Sequence, residues 1–144
     1  MKLFSKNTGD LFAELKNERD PQNFRERNQD EFTVPLHEYL ESLLAEKGLN
    51  KNDVIAASQL NGNYVYHIFS GTRKNPSRPK ILALAIAMGL SLDEIQYLLR
   101  YAQQGILYPR NRWDAVIISA IEQKLSVMQT NELLSSLGET LLLD

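Results

Sequence analysis

The chain has 144 residues, 43% apolar and 24% charged, enough to bury one working core without staples. It contains no cysteine, which excludes disulfides and thiolate metal sites and makes a reducing, cytoplasmic location the expectation. The net charge of −2 is unevenly spread: residues 1–46 carry six Lys/Arg against ten Asp/Glu, residues 47–80 six against one, and residues 81–144 four against seven. A basic middle between two acidic flanks points to a local electrostatic footprint.

The opening "MKLFSKNTGD" shows no apolar h-region, and the longest apolar run, Ile81 to Met88, is far short of the roughly 18 residues that span a bilayer. No membrane partner is expected. Thr8 is placed to cap a short helix with Leu11, Phe12 and Leu15 on one face, and Asp20-Pro21 to open a second carrying Phe24. Both are short and charged, so residues 1–32 form an N-terminal extension of short helices or partly disordered chain. From Thr33 the pattern sharpens. Leu36, Tyr39, Leu40, Leu43 and Leu44 follow amphipathic spacing, with Gly48 as the stop. Asn50 caps a helix to about Ser58 whose buried side is Val54, Ile55 and Ala57. Asn61 caps the next, with Val65, Ile68 and Phe69 as its inward stripe and Gly71 as its end.

Asn75-Pro76-Ser77 is a turn, with Ser77 capping a helix from Pro79 to Met88 that is apolar all round, as a centrally buried helix is. Ser91-x-x-Glu94 is a capping box before Ile95, Leu98 and Leu99. Asn111 opens a helix with Trp113, Val116, Ile117, Ala120 and Ile121, and Ser126-x-x-Gln129 is a second capping box before Leu133, Leu134 and Leu137. A shift of 35 residues aligns 81–99 with 116–134 with six identities, so the C-terminal hairpin resembles the one before it and stacks on it. The tail "LLL" at 141–143 needs a partner or a groove. No strand pattern appears, and the fold class is all-α.

The chemistry lies in the short linker between the helices at 51–58 and 62–69. Two helices joined by three or four residues cross at a large angle and project the second with its N-terminal turn foremost. Its inward stripe leaves Asn63, His67 and Ser70 facing away, with Tyr64 and Tyr66 on the flanks. Asn pairs bidentately with adenine, His donates to guanine, and Tyr hydroxyls reach phosphates or base edges. Arg73, Lys74, Arg78 and Lys80 follow where backbone phosphates would lie. Packing remains the alternative for Tyr64 and Tyr66, plain solvation for His67, and core or interface for Trp113. His37 and His67 lie thirty residues apart without supporting ligands, and no nucleophile–base pair, phosphate-binding Gly-rich loop or carboxylate pair stands out. No metal, cofactor or enzymatic activity is expected.

These residues carry a resemblance. From about Leu36 to Leu99 the chain resembles the phage-repressor-type helix-turn-helix family (XRE or Cro-like, lambda-repressor-like). The matching elements are Gly48-Leu49, Asn50 to Ile55, Leu60-Asn61, Val65, "IFSG" at 68–71, Asn75-Pro76-Ser77 and "LALAIAMGLSLDEI" from Leu82 to Ile95. The resemblance implies a five-helix DNA-binding domain over residues 33–104, with residues 105–144 an added hairpin for dimerisation or docking. It implies base contacts from Asn61, Gly62, Asn63, Tyr66 and His67, and phosphate contacts from Lys51, Ser70, Thr72, Arg73, Lys74 and Arg78. The sequence departs from the family at Ile55, where Ala is usual, at Gln59 for the turn Gly, and at Phe69 for a common acid. Gly62 at a usual reading position implies less direct readout. The expected function is a sequence-specific regulator of transcription that binds double-stranded DNA as a homodimer. The alternative is an adaptor or antitoxin-like partner protein that keeps the fold with weak or no DNA reading.

Overall fold

The computed structural model describes residues 4–143, and among them all regular structure is helical: nine α-helices, one 3-10 turn and no strand. No helix among the described residues is long and apolar enough to cross a membrane. The chain divides into two compact units, residues 1–34 and 35–144.

In the first unit, α1 (Thr8–Asn17) packs on α2 (Pro21–Arg27), followed by the 3-10 turn Gln29–Glu31. Asn7 rather than Thr8 is the cap of α1, its Oδ1 accepting the Asp10 N–H at 2.8 Å. The expected apolar stripe does not form: α1 has no buried residue, and Phe12 and Leu15 are 62% and 44% exposed. Its inward contacts are polar instead. The Lys6 ammonium donates to Glu14 and to Asn28 Oδ1, each at 2.6 Å, and buried Asn28 donates to Glu14 and to the Phe24 carbonyl, each at 2.9 Å. Phe24, capped in by Asp20 and Pro21 as expected, meets Phe32 edge-on at 6.1 Å.

The second unit is built around its most apolar helix. Residues Ile81 to Ala85 of α6 (Arg78–Ala87) are completely buried, and α6 packs against α4 (Lys51–Ser58), α7 (Leu92–Tyr101) and α9 (Val127–Ser136). Such a helix needs neighbours on every side, because any face left to water would expose a Leu or Ile. Ser77 stands at its N-cap position without a side-chain bond, and Pro79 lies in its first turn, where a missing N–H costs nothing. α3 (Leu36–Lys47) buries its expected stripe against α5 (Gly62–Ser70) and α7; its Tyr39 stacks on Tyr101 at 3.9 Å, and its Lys47 bonds Glu94 at 2.9 Å. On α4, Val54 is buried but Ala57 is exposed, and Ser58 takes the inward place assigned to Ala57. Ser58 tolerates it because its hydroxyl donates to the Ile55 carbonyl and accepts the Leu60 N–H.

The 35-residue similarity is carried through in hydrogen bonds. Leu90 and Leu125 each return an N–H to an alanine carbonyl, Ala85 and Ala120, and Gly89 and Lys124 both sit at positive φ, 67° and 58°. One turn further on, Gln104 bonds Leu99 and Glu139 bonds Leu134 in the same register. Beyond each hairpin, an amide side chain clamps an extended segment: Gln96 exchanges two bonds with Leu107, and Asn131 accepts from Leu142 and Leu143 and donates to the Leu143 carbonyl. Leu107 and Leu142 are both buried. Of "LLL", Leu142 is therefore seated within the hairpin of α8 (Arg112–Glu122) and α9 while Leu141 stays exposed, and Trp113 adds a bond from its indole N–H to the Thr140 carbonyl at 2.8 Å.

Candidate nucleic-acid interface

α4 and α5 are joined by three residues, Gln59 to Asn61. Gln59 occupies the left-handed region at φ 61°, the backbone state for which Gly is the usual residue, and its N–H closes α4 on the Ala56 carbonyl. The replacement of Gly by Gln thus leaves the turn formed, at a cost in backbone strain of about 1 kcal/mol. Ile55 is in ordinary contact across the turn, its Cγ2 3.8 Å from where a side chain at Gly62 would begin.

Asn61 caps α5 by accepting the Tyr64 N–H at 3.2 Å, so its carbonyl oxygen is committed to the helix start. Val65, Ile68 and Phe69 are buried, the inward stripe the spacing implies. Asn63 and His67 lie one turn apart on the opposite face, both exposed, with no side-chain hydrogen bond among the described residues. Tyr66 differs. It is 48% exposed, yet its hydroxyl donates to Asn52 Oδ1 on α4, which ties the two helices together and occupies the donor that would meet a base. Gly62 contributes backbone only.

At the end of α5 the chain folds back on itself. Gly71 adopts φ 84°, the Arg73 N–H returns to the His67 carbonyl at 2.9 Å, and the Ser70 hydroxyl donates to that same carbonyl and bonds Thr72. His37 of α3 lies against this turn, close enough that a Cβ on Gly71 would stand 2.8 Å from its Nδ1. His67, Thr72, Arg73, Lys74 and Asn75 line an open depression beside the exposed face of α5.

The cations divide into two sets. Arg78 is consumed internally: it forms a two-pronged pair with Asp114 at 2.8 and 3.0 Å and donates to the Gly105 and Ile106 carbonyls. Its assignment as a phosphate contact is corrected for that reason; Arg78 holds α6 to α8. Burial pushes the Asp114 carboxyl up, but bonds from Arg78 and the Tyr108 N–H, with the guanidinium's charge, outweigh it and hold the group below its ordinary range. Lys51 is intermediate, bonded to Glu41 at 2.5 Å with its ammonium 5.0 Å from the Phe69 ring centre. Arg73, Lys74 and Lys80 have no carboxylate partner among the described residues. None is near in sequence either, since no Asp or Glu occurs between Asp53 and Asp93.

Tyr64 settles into this second set. Its ring lies 4.6 Å from the Arg73 guanidinium carbon and 4.2 Å from the Lys80 ammonium, joining α5, the following loop and α6. Periodicity places Tyr64 on a flank of α5 but says nothing of what stands there; only the tertiary fold brings Lys80, at the start of α6, to it. Asn52 escaped the sequence reading for the same reason, as its partner Tyr66 lies fourteen residues away on another helix. No protein-family model matches the chain, and no curated protein and no solved structure matches it.

Proposed function

We propose that the protein is a DNA-binding regulator in which α4, the turn Gln59–Asn61 and α5 form a helix-turn-helix unit, with α5 entering the major groove. The observation that supports this reading best is the coincidence of two features on one surface. The outward face of α5 carries unengaged Asn63 and His67, and beside it stand three cations without carboxylate partners, Arg73 and Lys74 in the following turn and Lys80 at the start of α6. A solvated helix face needs neither, since unpaired cations gathered beside free amide and imidazole groups suit a phosphate backbone flanking base edges. The reading is narrow: with Asn61 capping, Gly62 bare and Tyr66 bonded to Asn52, direct base contact falls to Asn63 and His67. A single unit of this kind contacts few bases, so a two-fold dimer reaching half-sites roughly 34 Å apart completes the proposal.

Selection of bound duplexes from a random pool, followed by a salt titration on the winner, tests it. With about three phosphates neutralised per subunit, log K against log salt falls with a slope of about −3 per subunit. Asn63→Ala and His67→Ala relax the selected sequence without much loss on random DNA. A flat salt response, or an unselected pool, rejects the reading.

The adaptor reading has its own support in the exposed Met128 and Leu137 of the C-terminal hairpin, 58% and 57% accessible. It requires that the pool stay unselected, which the same experiment shows.

A further inference from the structure

We infer that Tyr64 is a positioning residue whose ring seats Arg73 and Lys80 together as a two-cation receptor for a backbone phosphate. The inference rests on the reading of α5 as the DNA-facing helix, and it brings in a residue that periodicity leaves without a role. Both cations lie within cation–π range of one ring, so they are no farther apart than 4.6 and 4.2 Å laid end to end. Two like charges at such a separation repel, and a protein surface ordinarily disperses them or places a carboxylate between them. Here neither occurs: Arg73 and Lys80 have no ion-pair partner among the described residues, and the nearest acids in sequence are Asp53 and Asp93.

The electron-rich ring offsets part of the repulsion in the free protein and restricts two long, rotamer-rich side chains to its neighbourhood. An arriving phosphate then meets a pair already in place, and less side-chain entropy is lost on binding. The seat is anchored on both sides. Arg73 is held by its N–H to the His67 carbonyl, and Lys80 stands in the first turn of the buried helix α6.

The full chain and its variants Tyr64→Phe, Tyr64→Leu, Lys80→Gln and Tyr64→Leu/Lys80→Gln test this on the selected duplex and on random duplex. Tyr64→Phe keeps the ring face and binds as the parent does. Tyr64→Leu weakens both duplexes equally, by about fivefold to thirtyfold, while the salt slope is retained because the charges remain. Lys80→Gln reduces the slope by about one, and its effect shrinks in the Tyr64→Leu background. Parental affinity in Tyr64→Leu, or additive losses in the double variant, overturns the proposal.

A measurement on the parent protein guards against misfolding of the variants. The Arg73 Nε–H and Lys80 ε-methylene resonances are shifted upfield by the ring and move together on addition of inorganic pyrophosphate. Absence of the upfield shift overturns the seat even where duplex binds. Pyrophosphate binding with no duplex binding keeps the seat and rejects the DNA reading, so the two fail separately.

Discussion

Gly71 shows how one residue joins local and tertiary demands. Its φ of 84° alone disfavours any side chain, and His37 stands where a Cβ would go, 2.8 Å from Nδ1. Gly71→Ala is expected to lower stability by about 2 kcal/mol or more in urea denaturation. Adding His37→Ala should return only the steric part, leaving the backbone strain. The loop from Gly71 to Lys74 would lose its return onto α5 in the same variant, so under the proposed DNA-binding function duplex affinity should fall along with stability. Gly71 as a helix stop is legible from position, but the encroachment of His37 is not. The two residues lie more than thirty positions apart and meet only because α3 packs on α5.

Between elements, the Arg78–Asp114 pair shows how a sequence-level assignment changes once partners are known. Arg78 sits within a basic run and looks available, whereas Asp114 is the acid in the first turn of α8, thirty-six residues on. The Asp114 side chain is 6% exposed and accepts from Arg78 and from the Tyr108 N–H, so its charge is paired and its bonds are met. Asp114→Asn is expected to cost about 3 kcal/mol at neutral pH, the lower end for breaking a buried pair because Arg78 keeps some solvent. The folded carboxyl titrates below its unfolded value, so its stabilisation is complete above the unfolded pKa of about 3.9 and is lost as pH falls through the depressed folded value. The urea midpoints of parent and Asp114→Asn should therefore converge in that acid window and stay apart from pH 5 upward. A gap that persists below it would mean the pair contributes by shape rather than by charge.

At the scale of the whole molecule, the two units differ in what holds them. Residues 35–144 enclose a continuous apolar core around α6, while the described residues of the first unit bury one apolar side chain, Phe24, beside a Lys6–Glu14–Asn28 polar network. A chain of residues 35–144 should unfold cooperatively with an urea midpoint close to that of the full protein. Residues 1–34 alone should show little helical circular dichroism, since α1 and α2 are shorter than the roughly 12–15 residues an isolated helix needs.

The sequence by itself determined the helices from Leu36 onward, most of their caps (Ser77 makes no side-chain bond at the start of α6) and the 35-residue similarity. Asn50, Asn61, Ser91, Asn111 and Ser126 all cap as their spacing implies, because capping is a bond within four residues and depends on nothing distant. In the first unit the same rules gave less: the cap moved to Asn7 and the apolar stripe of α1 stayed in solvent, because few apolar neighbours exist there to bury it. Only the tertiary structure decided which polar groups on the candidate interface are free. Tyr66 went to Asn52, Arg78 to Asp114, Lys51 to Glu41, and Tyr64 came to lie against both Arg73 and Lys80. Each of those outcomes is a contact between elements distant along the chain, and a charged or aromatic side chain is equally at home in water or against such a partner until packing supplies one.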